Sequence, residues 1–342
     1  ASAFPHPLSV AASSPDDAAY SIILIGCCEE DAELSRRLCI GAWCMGLLLL
    51  ATAGLAAQNR PLKSELCIYD LGTSSSRCIL STTDHLEAPN WTPDGKHLIV
   101  NSGGLLFEVD LANPVLKQIP TGEVSSVNND HGVSPDGNTL VISAGHMYTL
   151  PRTGGIPKQI TQHRPSYYHG WSPDGKTLAM CAHRGDNNYD IYVIPVTGGE
   201  EHRITVHPGH DDGPDYSPDG KWIYFNSDRG GSAEIWRMPA GKKTPQDEYA
   251  ELVVRGPRVE WFPHPSPDGK LLVYLSYPEG TKGHPPNKAV ELRLIRLDAG
   301  DPIAQTPKVL ERFTGGQGTI NVNSWAPDSQ RFAYVRYTYP AP

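Results

Sequence analysis

Residues 172–176 read Ser-Pro-Asp-Gly-Lys, and Tyr167, Tyr168 and His169 stand just ahead of them in the run YYHGWSPDGK. Proline presets the first central position of a type I turn, aspartate suits the second, and glycine takes the left-handed position that closes a short hairpin. The same turn returns as TPDG at 92–95 and as SPDG at 134–137, 217–220 and 266–269, with a degenerate APDS at 326–329. The aspartates are spaced by about 47 residues on average. A period of that length marks a propeller or a solenoid.

The residues after each turn choose between the two. An apolar, β-rich run follows every copy: HLIVNS, TLVISA, TLAMCA, WIYFNS, LLVYLS and RFAYVR. A second run comes next in most units, such as DIYVIPV and EIWRMP, and then a polar turn leads to a short strand such as KQIT or HRIT. Each unit is therefore four short antiparallel strands, one blade. The last unit stops after two strands, and ELCIYDL and SRCILST (65–82) supply its outer pair from the other terminus. That pairing closes the ring and removes exposed sheet edges. The expected fold is all-β: a six-bladed propeller over residues 65–340, closed by its two terminal segments.

Composition sets outer limits. The chain has 342 residues, 39% hydrophobic and 20% charged, with a net charge of −9. That is an ordinary soluble balance, and without a basic cluster nucleic acid is not an expected partner. Residues 1–60 are expected to be a signal-like leader or a disordered extension, separate from the propeller. Arg36 and Arg37 precede the apolar run CIGAWCMGLLLLATAGLAA, the order of a signal peptide. The expectation is export, periplasmic or secreted, with any membrane contact made through an uncleaved leader; the alternative is an unprocessed cytoplasmic extension. Of seven cysteines none forms a CxxC pair, which leaves out zinc ribbons and thioredoxin-type redox motifs. Cys67 and Cys78 flank a hairpin and can face each other across it, but two buried free thiols are the preferred expectation.

The repeat resembles the TolB-type propeller, also seen in the propellers of prolyl-oligopeptidase-like enzymes and of oligogalacturonate lyases. The blocks NNDHGVSPDG (128–137), YYHGWSPDG (167–175), DGPDYSPDGKWIYFNS (212–227), WFPHPSPDG (261–269) and GGQGT (315–319) are similar to those of small stand-alone bacterial members. The resemblance implies the fold and says little about activity. TolB itself carries an α/β domain ahead of its propeller and works with outer-membrane lipoproteins. The peptidase relatives need a hydrolase domain with a GxSxG turn, and the chain contains no such motif.

Candidate site residues precede the turns. Alignment on the turn serine places Trp91, Trp171, Tyr216 and Trp325 immediately before it, as packing between blades. Just ahead of these stand Asn129, Asp130 and His131 in the second unit, and Tyr167 and His169 in the third. Asp212 and Asp215 follow in the fourth, Trp261 and His264 in the fifth, and Asn323 in the sixth. Six-fold geometry is expected to bring them to one channel mouth, with His183, Arg184, Asp228, Arg229 and His284 added from loops after the second strands. Histidines with carboxylates suit acid–base chemistry near neutral pH or a divalent metal such as Zn, Mn or Ca, with His131, His169 and His264 as candidate ligands. Polar residues at such positions also serve to hydrogen-bond neighbouring blades. Two functions stay open: a small polar ligand or oligosaccharide site, possibly of a metal-assisted lyase or hydrolase, and a TolB-type scaffold that binds a protein or peptide.

Overall fold

A computed structural model describes residues 62–185 and 188–339. The leader lies outside the described residues. Blade one runs through strands Glu87–Trp91, His97–Ser102, Leu105–Asp110 and Leu116–Ile119, from the channel outward. Blades two to five repeat the pattern, with inner strands His131–Val133, Ser166–Trp171, Asp211–Tyr216 and Val259–Pro265.

The sixth blade is shared between the two ends of the described chain. Strand Arg331–Thr338 pairs antiparallel with Lys63–Asp70, which pairs in turn with Ser75–Thr82. Its innermost element is a single bridge, Trp325 to Phe332, continued by the Ala333 amide donating to Ser324 O at 2.9 Å. Closure by the terminal strands is therefore observed, and with it six blades. Cys67 faces Cys78 across this pair and the two form a disulfide. The free-thiol expectation is corrected: the hairpin register puts the residues directly opposite, a detail that spacing alone leaves open.

Five of the six turns are built the same way. The Ser172 hydroxyl donates to Asp174 Oδ1 at 2.7 Å and accepts from the Thr177 amide at 2.9 Å, while Asp174 Oδ1 accepts from the Lys176 amide. The Thr92, Ser134, Ser217 and Ser266 copies repeat this cage. Gly175 sits at φ 69°, where a side chain would be strained. In the degenerate copy Ser329 takes that conformation at φ 57° and accepts from the Asp268 amide with its hydroxyl, which ties the sixth turn to the fifth.

The blades pack face to face. Six buried apolar clusters form, one at each blade junction: Ile99 and Leu106 meet Val133 and Leu140 between blades one and two, and Tyr224 and Ile235 meet Leu272 and Tyr274 between four and five. Polar side chains stitch the channel side. Asn90 donates to Asn323 O (2.6 Å) and accepts from the Val133 amide (2.7 Å), joining blades six, one and two. Asn226 joins four to five in the same manner.

Candidate functional site

A strand rises about 3.3 Å per residue, so positions three apart on an inner strand sit roughly 10 Å apart along the channel. The inner strands of blades one, three, four and five also carry a bulge in this stretch, between Glu87 and Asn90, Tyr168 and Gly170, Asp212 and Asp215, and Trp261 and His264. Three of these bulges use a left-handed residue: Ala88, Gly213 and Phe262. The candidates therefore divide between the two ends of the channel instead of sharing one mouth. This corrects the single-mouth expectation for Asp215 and Asn323, which lie at the turn end; of the loops after the second strands, His284 does join Asp130, His169 and Asp212 at the other end.

One end is a cavity of about 510 Å³ that collects Asn129, Asp130, Tyr167, His169 and Asp212. Asp212 is its electrostatic centre. Its Oδ1 lies 3.2 Å from His169 Nε2, and its Oδ2 lies 3.4 Å from Nε2 of both His210 and His284. Burial opposes its charge, but the bonds from these three imidazoles hold Asp212 well below the usual carboxylate range. His169 meets an acceptor at each ring nitrogen, Asp212 at one and Asn321 O (3.2 Å) at the other. Burial works against its charge too, yet the Asp212 hydrogen bond and the Asp130 and Asp212 charges raise it to about 9. His210 is also raised against burial, by its Asp212 hydrogen bond and the Asp212, Asp228 and Asp211 charges.

Asp130 behaves differently. Burial pushes it up to about 6, reinforced by the Asp212 charge and resisted by His169, whose Nε2 is 4.0 Å away. One cavity thus holds an ionised carboxylate and a second that titrates near neutral pH, with a protonated imidazole between them. Split carboxylates of this kind mark acid and base roles. Around them stand carboxamides and rings. Asn129 donates to Glu87 Oε1 (3.0 Å) and accepts from Gln317 (3.1 Å), and Gln317 also pairs with His284. Tyr167 and Tyr189 stand 6.2 Å apart between ring centres, and Phe262 packs against His284.

The other candidates lie elsewhere. Asp215 and Asn323 line the opposite mouth, beside Trp91, Trp171, Tyr216 and Trp325 and the turn prolines. His264 is buried, bonded to Asp215 Oδ2 (3.0 Å) and to Ile320 O (2.7 Å). His131 is fully buried, neither ring nitrogen has a partner among the described residues, and burial lowers it to about 4 against the pull of Glu87. Trp261 lines a neighbouring cavity and not the central one. Arg184 and Arg229 are engaged in structural ion pairs with Glu201 and Asp211. His131, His169 and His264 share no contact. Among the described residues no group of three His, Cys, Asp or Glu side chains is arranged to hold a metal ion.

Six cavity residues were not singled out from sequence: Glu87, Asn128, Cys181, Tyr189, His210 and Gln317. A signal for the first existed. Five residues before each turn stand Glu87, Asn129, Tyr167, Asp212, Trp261 and Asn321, and all but Trp261 line the cavity.

Comparison with known proteins agrees with this architecture. A family model for the TolB β-propeller domain matches residues 159–284. An uncharacterized protein of Agrobacterium fabrum is 42% identical over 283 residues, covering 81% of this chain and 93% of that protein. A solved TolB-type structure from Agrobacterium tumefaciens is 42% identical with a TM-score of 0.75, over 81% of this chain and 99% of its own. The Tol-Pal system protein TolB of Francisella tularensis is 26% identical over 77% of this chain, which spans 59% of that longer protein. Six blades closed by the terminal strands, a turn cage repeated in five of them and these relatives agree: the chain belongs to the TolB-type β-propeller family.

Proposed function

We propose that the central cavity binds a small polyhydroxylated ligand of the sugar class, and that Asp130, His169 and Asp212 perform acid–base chemistry on it as a lyase or hydrolase would. The carrying observation is the convergence of three imidazoles on buried Asp212, with Asp130 4.0 Å from His169, inside a wall of carboxamides and aromatic rings. Carboxamides and carboxylates supply paired donors and acceptors for hydroxyl groups, and aromatic faces supply a surface for sugar C–H groups. At neutral pH His169 is the proton donor and Asp130, largely ionised, the acceptor. Asp212 orients the three imidazoles that converge on it. No step needs a resident metal, although the candidate ions Zn, Mn and Ca belong in the test.

The test is calorimetric titration of the full chain with monosaccharides, sugar acids and short oligosaccharides, with EDTA and with each ion in turn. Binding that disappears in Asp212→Asn and His169→Asn, in variants that still unfold in one cooperative transition, supports the reading. A panel without heat or thermal stabilisation refutes it.

The opposite mouth favours a second reading. Its ring of turn prolines with Trp91, Trp171, Tyr216 and Trp325 is an apolar collar of the kind protein segments dock on, and the Francisella relative is named for the Tol-Pal system. In that reading the propeller is a scaffold, and Trp325→Ala abolishes partner binding while Asp212→Asn does not. Extracytoplasmic residence is proposed with either reading, supported by the Cys67–Cys78 disulfide.

A further inference from the structure

The central cavity has a neighbour. His210 and His284, on its wall, are also wall residues of a second cavity of about 710 Å³. That cavity lies between blades four and five. Val259 and Trp261 stand on one side, the Gly231–Ala233 loop on another, and the Glu279–His284 loop forms its edge. Each of the two falls within the roughly 300–1,000 Å³ that small-molecule sites occupy, so the pair has room for two ligand units.

Trp261 marks the junction. Its ring meets His284 edge-on at 4.5 Å and His210 at 6.1 Å. The indole is buried, and its N–H finds no acceptor among the described residues. A buried donor left unmatched is destabilising, and a ligand oxygen that reached it would relieve that. The outer wall adds polar groups suited to hydroxyls: Ser232, Asp228 and the exposed Lys282 and Glu279. The edge loop turns at Gly280 and Gly283, both at positive φ with open space where a side chain would stand.

We propose that the second cavity is an outer subsite, so that the ligand of the central site is a chain of at least two sugar units, laid outward between blades four and five with its linkage passing His210 and His284. The proposal rests on the sugar-site reading and adds chain length and direction to it.

Two size ladders test it: galacturonate with its dimer and trimer, and glucose with cellobiose and cellotriose, titrated into the full chain by calorimetry. The expected result is a gain of about tenfold in affinity from one unit to two in one ladder. Ser232→Trp, which fills the outer cavity, removes that gain and leaves monomer affinity unchanged. Lys282→Ala, on an exposed side chain, reduces the gain without lowering the melting temperature and decides the matter if Ser232→Trp is unstable. Monomer binding that Asp212→Asn abolishes, with no gain on lengthening, overturns the outer subsite alone. A gain that survives both outer variants also overturns it. No binding by any member of either ladder overturns the sugar-site reading and the subsite with it.

Discussion

His131 is a buried imidazole that titrates at about 4 in the folded chain against 6.5 when unfolded. Its proton is therefore taken up by the unfolded state first. The stability that follows from keeping it neutral is fully present above pH 6.5 and is lost as pH falls from there toward 4. With those two values the loss is about 2 kcal/mol at pH 5 and about 3 kcal/mol at pH 4. Other groups titrate in the same range, Asp130 among them, so the quantity to follow is the difference between wild type and His131→Leu. That variant removes two unmatched nitrogens and no observed hydrogen bond. Urea unfolding followed by tryptophan fluorescence gives each stability. At pH 7 the two proteins should lie within about 1 kcal/mol; at pH 5 the wild type should have fallen behind by about 2 kcal/mol more. A gap of the same size at both pH values would show that the imidazole has a partner or already carries charge, and the assignment of His131 as a structural residue would fail.

Reducing the Cys67–Cys78 disulfide opens a loop of sequence separation 11 in the closing blade, worth about 3 kcal/mol in the loop-entropy account. The melting temperature should drop by several degrees in reductant, and Cys67→Ser/Cys78→Ser should melt at the reduced value in either condition. Gly132→Ala should destabilise by roughly 1–3 kcal/mol, since a Cβ there would stand 2.3 Å from the Tyr168 hydroxyl; calorimetric melting reads it. His169 contributes stability below pH 6.5 that is lost as pH rises through about 9. In Asp212→Asn that alkaline loss should shrink, as a pH series of melting temperatures will reveal.

The ring was legible in sequence because its signal is local. The turn carries its own cage of hydrogen bonds within five residues, so it is written out in five of the six blades and survives without reference to the rest of the fold. Closure was legible for a related reason: ELCIYDL has the pattern of an outer strand and no blade of its own. The Cys67–Cys78 bond was not, because a one-residue slip in the hairpin would have separated the pair. The site was half legible. Residue types at the inner strands pointed to the channel, but the bulge after Glu87, Asp212 and Trp261 is a backbone event that alternation does not report. His210 stands one residue before its strand and Gln317 in the loop beyond Gly315; neither falls in the column that the turn aligns.

Asp212 and Asp215 show how that bulge separates the two roles. They sit on one strand, both buried, and both accept from histidine. Asp215 completes a closed arrangement: its Oδ2 takes the His264 imidazole at 3.0 Å and the Asn323 amide at 2.8 Å, joining blades four, five and six at the apolar mouth. Asp212 instead gathers imidazoles on the wall of a cavity large enough for a ligand. Asp215→Ala leaves the buried His264 donor without that acceptor, at about 1–3 kcal/mol, and leaves Asn323 only its bond to Pro265 O. It should lower the melting temperature clearly and leave ligand affinity at the central cavity unchanged. Asp212→Asn should abolish that affinity, and any stability it loses should be confined to the pH range below about 9 where His169 is charged. Melting curves and titrations on the two variants side by side settle it. If Asp215→Ala loses ligand binding at an unchanged melting temperature, the functional end of the channel is the turn face, and the assignment of the central cavity as the site is wrong.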